Sequence, residues 1–201
     1  MQTQLRYVGW RVLLMSALLA RRLNAQVPSV HTRVVALPQG PVTRIPSPNR
    51  HWTLIFECPD YSKERKLWIV ENGSHARKLV KEYERSLAIA WAPDSQRFFV
   101  EDDYGSNGSD SYVIDPASLK SVDLGTIIAS SDPEGAKFLK ADHSYLRANR
   151  WLDSDELLVV LSGHFDETTQ RRVSGSFTVK YQVNLNGGVK KISQRSVEES
   201  Q

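Results

Sequence analysis

The sequence predicts an all-β fold built from antiparallel, blade-like meanders with one short helix, and three observations carry that prediction. Short apolar or alternating runs rich in Val, Ile, Leu, Phe and Trp recur along the chain, bounded by Gly, Pro, Asn, Asp and Ser. Asn72-Gly73 and Asn107-Gly108 stand between such runs, where Asn-Gly favours a tight hairpin reversal. A unit made of a small polar turn followed by an apolar strand occurs three times.

The first 25 residues stand apart from this domain. Arg6 and Arg11 precede or enter an apolar run at 12–20, no acid occurs before Glu57, and Leu23-Asn24-Ala25 places a small residue before Gln26. That layout reads as a secretory signal with a mature chain starting near Gln26. The run is shorter than the roughly 20 apolar residues a membrane span requires. Arg21 and Arg22 follow the run rather than lead it, and the lack of acids also suits an organelle transit peptide. Removing Arg6, Arg11, Arg21 and Arg22 from the 26 basic residues leaves 22 against 23 acidic ones. The formal net charge of +3 therefore belongs to the leader, and with it goes the compositional basis for binding nucleic acid or an acidic membrane. The expectation is a soluble periplasmic or secreted product with no stable membrane insertion.

Along the remaining chain, residues 26–44 form a proline-rich lead-in. Over 26–48, Pro28, Pro38, Pro41, Pro46 and Pro48 forbid a helix and leave room for one extended piece near 33–37. The β domain is predicted over 45–192. Its first strands fall at 52–57, 66–71, 87–91, 97–101 and 111–114. Residues 76–85 mix signals: Leu79, Val80, Tyr83 and Leu87 have helix-like spacing, but the preceding Asn-Gly turn calls for a returning strand, which is preferred. Asp132 as a cap and Pro133 at the first helical position predict a short helix ending near 141. Strands resume at 156–161 and at 176–183, where Phe177, Val179, Tyr181 and Val183 share a face. Gly187-Gly188 then turns into 189–192, and residues 193–201 read as a polar tail.

The repeated unit spans residues 45–56, 89–100 and 149–160. Pro48 and Pro93 lie 45 residues apart, within the roughly 40–45 residues of one four-stranded propeller blade, while Trp91 and Trp151 lie 60 apart, so the second unit carries an insertion. Trp91-Ala92-Pro93-Asp94-Ser95 resembles the Trp-Ser-Pro-Asp-Gly signature of TolB-type β-propeller blades, which are WD-repeat-like in architecture. The resemblance implies about three degenerate blades over roughly 45–192 and transfers no functional residues. The glycine of that signature is replaced by Arg50, Ser95 and Ser154. Three units are fewer than the four to eight of a closed ring, leaving an open meander, a ring completed by another subunit, or a sheet that shares only the signature.

The most suggestive chemistry is the acidic loop 101–110, in which Asp102, Asp103, Asn107 and Asp110 form a candidate binding loop. On an EF-hand frame, Gly105 takes a ligand position and Ile114 replaces the closing glutamate, so the residues read as a solvated hairpin loop. Ser162, His164 and Asp166 alternate along a strand and are weak catalytic candidates, since same-face neighbours stand about 6.6 Å apart and triads draw on separate elements. The remaining histidines, His31, His51, His75 and His143, show no repeated ligand spacing, and Cys58 is the only cysteine, so no metal or cofactor is assigned. No Gly-x-Ser-x-Gly elbow, His-Glu-x-x-His pair or phosphate-binding loop occurs. Trp52, Trp68, Trp91 and Trp151 are expected to cover the core.

These readings favour a noncatalytic exported module that presents loops 101–110 and 163–172 to a protein partner. The competing expectations are a hydrolase, or hydrolase-associated domain, using His164, and a structural protein that self-associates through unpaired strand edges.

Overall fold

A computed structural model describes residues 33–60, 65–74, 76–166 and 174–199. The expected leader over residues 1–25, with its apolar run at 12–20, lies outside the described residues, as do His31, His75 and residues 167–173. In chain order the elements are β1 (Val35–Leu37), β2 (Val42–Pro46), β3 (Trp52–Glu57), β4 (Arg65–Glu71), β5 (Arg77–Tyr83), β6 (Ser86–Trp91), β7 (Phe98–Asp103), β8 (Gly108–Ile114), β9 (Ser121–Asp123), α1 (Leu124–Ser131), α2 (Pro133–Phe138), β10 (His143–Trp151), β11 (Glu156–Phe165), β12 (Ser174–Asn184) and β13 (Gly188–Glu199).

Sequential antiparallel pairing produces three four-stranded meanders: β2 to β5, β6 to β9 and β10 to β13. The first stands as its own sheet, and the other two share one. Gly108 and Ser109 of β8 join them by running parallel to Ser144 and Tyr145 of β10. β1 covers the free edge of β6, placing Val35 opposite Ile89. Among the described residues no helix is long and apolar enough to cross a membrane.

The second meander is buried on both faces. Phe98 and Val100 join Leu54, Phe56, Leu67 and Ile69 of the first meander in one core. Phe99 and Val113 join Leu146, Val159, Val179 and Tyr181 of the third in another, which Leu124 and Ile128 of α1 help to close. This explains why Phe98-Phe99-Val100 reads as a continuous apolar run rather than an alternating one: all three side chains are fully buried. Each buried side chain of that size contributes about 2 kcal/mol.

At one end of the molecule the three units are tied by repeated bonds. The Trp91 indole N–H donates to the Ile45 carbonyl at 3.1 Å, and the Trp151 indole N–H donates to the Ala90 carbonyl at 3.0 Å. Each tryptophan thus reaches from the first strand of its own meander to the first strand of the meander before it. The first two turns share their backbone bonds as well: Ser47 N to Trp52 O matches Ala92 N to Arg97 O, and Arg50 N to Ser47 O matches Ser95 N to Ala92 O. Arg50 and Ser95 occupy the glycine position of the signature, and both adopt the left-handed conformation that glycine favours, with φ of 59° and 66°. The third turn closes one residue sooner, through Leu152 N to Glu156 O, and Ser154 is not left-handed. Adjacent turns are further linked by the Asn49 N–H donating to Ser95 Oγ and by an Arg97–Asp155 ion pair.

Several expectations require correction. Two helices stand where one was expected. Asp132 caps α2 as predicted, but α1 precedes it, capped by Asp123, whose carboxylate accepts the Thr126 N–H at 3.1 Å. Asn107-Gly108 does not form a turn with positive φ angles. The reversal lies at 104–107, and Gly108 opens β8 beside the Tyr104 ring. At Asn72-Gly73 only Gly73 is left-handed, so the type I′ form is absent there too. β10 and β2 lie where no strand was expected. β13 runs to Glu199, through the stretch read as a polar tail, because an edge strand needs only backbone pairing with β12 and leaves its polar side chains in solvent. The ambiguous 76–85 stretch is the strand β5.

Candidate functional site

The end of the molecule opposite the tryptophan-bearing turns gathers the residues with reactive chemistry. Strand direction brings the 104–107 hairpin, the start of β10 and the end of β11 to this end. Tyr145 donates its hydroxyl to the Ser106 carbonyl at 2.6 Å, and the Ser144 N–H donates to the Asn107 carbonyl at 3.0 Å. The acidic loop and β10, which pairs with the His164 strand, are thus bonded neighbours.

The acidic loop does not act as one cluster. Alternation along β7 sends Asp102 toward the first meander, opposite Asp110 of β8. Asp102 Oδ2 accepts from Lys81 Nζ at 3.0 Å, and Lys81 lies over the rings of Tyr83 and Tyr112. The Asp102 side chain is only 7% exposed, and its Oδ1 has no hydrogen-bond partner among the described residues, a burial that costs about 1–3 kcal/mol. Burial holds the Tyr83 and Tyr112 hydroxyls and the Asp110 carboxyl above their usual values. Tyr112 donates to Asp110 at 3.3 Å, which pulls the Asp110 carboxyl partly back.

Glu101 and Asp103 turn to the other side. Arg147 Nε stands 3.1 Å from Glu101 Oε1 and its Nη2 stands 3.8 Å from Asp103 Oδ1, while Ser86 Oγ donates to Asp103 at 2.9 Å. Burial pushes the Glu101 carboxyl up to about 7, with Arg147 opposing the shift and Asp103 adding to it. Asn107 contributes its backbone carbonyl to the contact with Ser144. Of the four candidate loop residues, Asp102 and Asp110 therefore converge, and Asp103 and Asn107 serve separate contacts.

Ser162, His164 and Asp166 are likewise regrouped. Asp166 Oδ1 lies 3.3 Å from His164 Nε2, but Ser162 sits two residues back along the ladder, opposite Tyr145 and Thr178. The cross-strand neighbour of His164 is His143, and their rings stack with centroids 4.0 Å apart and planes 14° from parallel. Asp166 Oδ2 lies 3.6 Å from His143 Nε2, and ligand-type atoms of all three residues fall within 4.8 Å of one another. The Asp166 N–H donates to Asp142 Oδ2 at 3.0 Å. Gly163 permits this approach, since a Cβ there would overlap the His143 carbonyl. Beneath lies an aromatic floor in which Phe138 stacks on Phe177 at 4.3 Å and Phe165 packs against both.

His143 carried no signal in the sequence, because the β10–β11 register that pairs it with His164 is not visible in residue spacing. Trp91 and Trp151 are buried, as expected for core cover, and Trp52 and Trp68 are half-buried. Cys58 is fully buried. A scan against protein-family models finds no match to the chain, and a search of curated proteins finds no matching relative.

Proposed function

We propose that the protein is an exported, noncatalytic β-repeat module that binds a protein partner through the end carrying the 104–107 hairpin. The observation that carries this reading is the pair of bonds from Tyr145 to Ser106 and from Ser144 to Asn107, which unite the acidic hairpin with β10, the strand that carries His143. The opposite end is occupied by unit-to-unit bonds, whereas this end exposes Tyr104, a large aromatic of the kind that anchors interfaces. The three meanders and their recurring turns support an architecture of TolB-like blades. Catalysis through Ser162, His164 and Asp166 draws less support, because His164 faces His143 rather than Ser162. Self-assembly through β13 is opposed by Lys190 and Arg195, exposed charges along that edge.

The test is cross-linking with affinity capture from the native envelope or secreted fraction, using wild type, Tyr104→Ser and, at the turn end, Leu152→Ser. One dominant partner is expected, retained by Leu152→Ser and reduced about tenfold or more by Tyr104→Ser, as for an interface anchor. Loss on Leu152→Ser alone, or capture indifferent to both, would remove the reading.

A further inference from the structure

Two imidazoles and a carboxylate converge at the hairpin end on backbone held in register by the sheet, and no part of the binding reading above makes use of them. We propose that His143, His164 and Asp166 form a binding site for a single divalent cation of the zinc class. The inference is independent of the partner-binding proposal.

The donor set comes first. Two nitrogens and one carboxylate oxygen suit a late first-row cation, whereas calcium and magnesium prefer sets made of oxygen. Spacing follows. Metal–ligand bonds of about 2.0–2.1 Å place the donors of a tetrahedral site about 3.3 Å apart. His164 Nε2 lies 3.3 Å from Asp166 Oδ1 and His143 Nε2 lies 3.6 Å from Asp166 Oδ2, and one donor atom from each of the three residues falls within 4.8 Å of the others, so small side-chain rotations bring them to that edge length.

The site is also built into the sheet. His143 and His164 are held opposite each other by the β10–β11 ladder, and the contact of Gly163 with the His143 carbonyl leaves that register little freedom. Asp142 holds the Asp166 backbone, and the Phe138–Phe165–Phe177 floor supports β11 and β12 from the buried face. Three protein donors leave a fourth position for a donor from outside. It is accessible, since the His164 and Asp166 side chains are 47% and 54% exposed.

A cation lies in the plane of each imidazole it binds, so occupancy must open the 14° stack by rotating the rings about their Cβ–Cγ bonds. Both imidazoles should therefore respond together, and the solvent-facing side leaves room for the movement. A cluster held only by hydrogen bonds would bind zinc no better than a single surface histidine.

The experiment uses the full chain, stripped of metal by chelation and dialysis, with zinc chloride titrated against a chromophoric competitor. One equivalent should bind with a Kd in the low micromolar range or tighter, and magnesium at millimolar concentration should not compete. His143→Gln and His164→Gln are each expected to weaken binding about 100-fold and Asp166→Asn about tenfold, by loss of a direct ligand. Imidazole nitrogen resonances recorded on the wild-type chain provide a readout that needs no variant: those of His143 and His164 should shift together while His51 stays unmoved. Binding weaker than about 1 mM, affinity unchanged in the His143→Gln/His164→Gln double variant, or shifts confined to other histidines would each overturn the proposal.

Discussion

The two ends of the molecule differ in how their chemistry is distributed. At the turn end the same solution recurs: an indole N–H on the preceding unit's carbonyl, a left-handed residue after Asn49 or Asp94, and a link to the next turn. At the hairpin end nothing recurs. The first meander contributes Lys81 and Tyr83, the second a divided acidic hairpin, and the third the histidine pair. Repetition marks positions where the backbone must be held in one arrangement. Departure from repetition marks positions free to carry a distinct chemistry, which is where binding is proposed.

Truncating an indole should break this division most strongly. Trp151→Ala is expected to cost about 3–5 kcal/mol in urea unfolding, combining a core cavity with the orphaned Ala90 carbonyl. Trp151→Phe retains most of the ring and should cost about 1–2 kcal/mol. Tyr104→Ala, at the exposed end, should cost less than about 1 kcal/mol. If Tyr104→Ala proves as damaging as Trp151→Ala, the two ends do not divide architecture from function.

A smaller effect separates buried charge at the hairpin end from paired charge elsewhere. Glu101 has an ordinary value of 4.5 and is raised to about 7 in the folded chain, so between those limits the folded state holds a proton that the unfolded state releases. Stability contributed by this group is present at low pH and lost as pH rises through that window. Glu101→Gln should flatten the slope, removing a difference of about 2 kcal/mol between pH 5 and pH 8 in urea midpoints. An unchanged slope would mean that Arg147 keeps the carboxylate ionised throughout.

The smallest effect compares the two left-handed turn residues. Arg50→Gly relieves the positive φ and should stabilise by about 0.5–1 kcal/mol. Ser95→Gly gains the same relief but loses the hydroxyl that accepts from Asn49, and should be near neutral. Equal stabilisation by both, in thermal unfolding, would show that the link between turns contributes nothing.

The turn end was largely legible in the sequence, and the hairpin end was not. Pro48, Pro93 and the tryptophans are local signals with a fixed spacing, and the unit they outlined proved to be the turn after the first strand of each meander. Short apolar or alternating runs likewise located β3, β4, β6 and β7. The β10 segment escaped because Arg147, Asn149 and Arg150 interrupt its apolar pattern, although Ser144, Leu146 and Ala148 face inward. α1 escaped because Gly125, Thr126, Ile127 and Ile128 are poor helix formers, and its stability comes from Leu124 and Ile128 in the core. The site depended on register. Ser162, His164 and Asp166 were visible as an alternating trio, but only pairing across β10 replaces Ser162 with His143. In the same way Asp102 and Asp103 adjoin in sequence yet point to different meanders.

The indole bonds run in one sense only. Trp151 addresses the second unit and Trp91 the first, while the corresponding place in the first turn is taken by Pro46, which has no side-chain donor, and the next residue, Ser47, keeps its hydroxyl within its own loop by donating to Asn49 and accepting from the Trp52 N–H. The array is therefore vectorial, each unit validating the placement of its predecessor. Coupling of this kind is between nearest neighbours. Damage to one indole should loosen a single junction, and the second meander, which holds a junction on either face, is the link through which any order passes between the outer two.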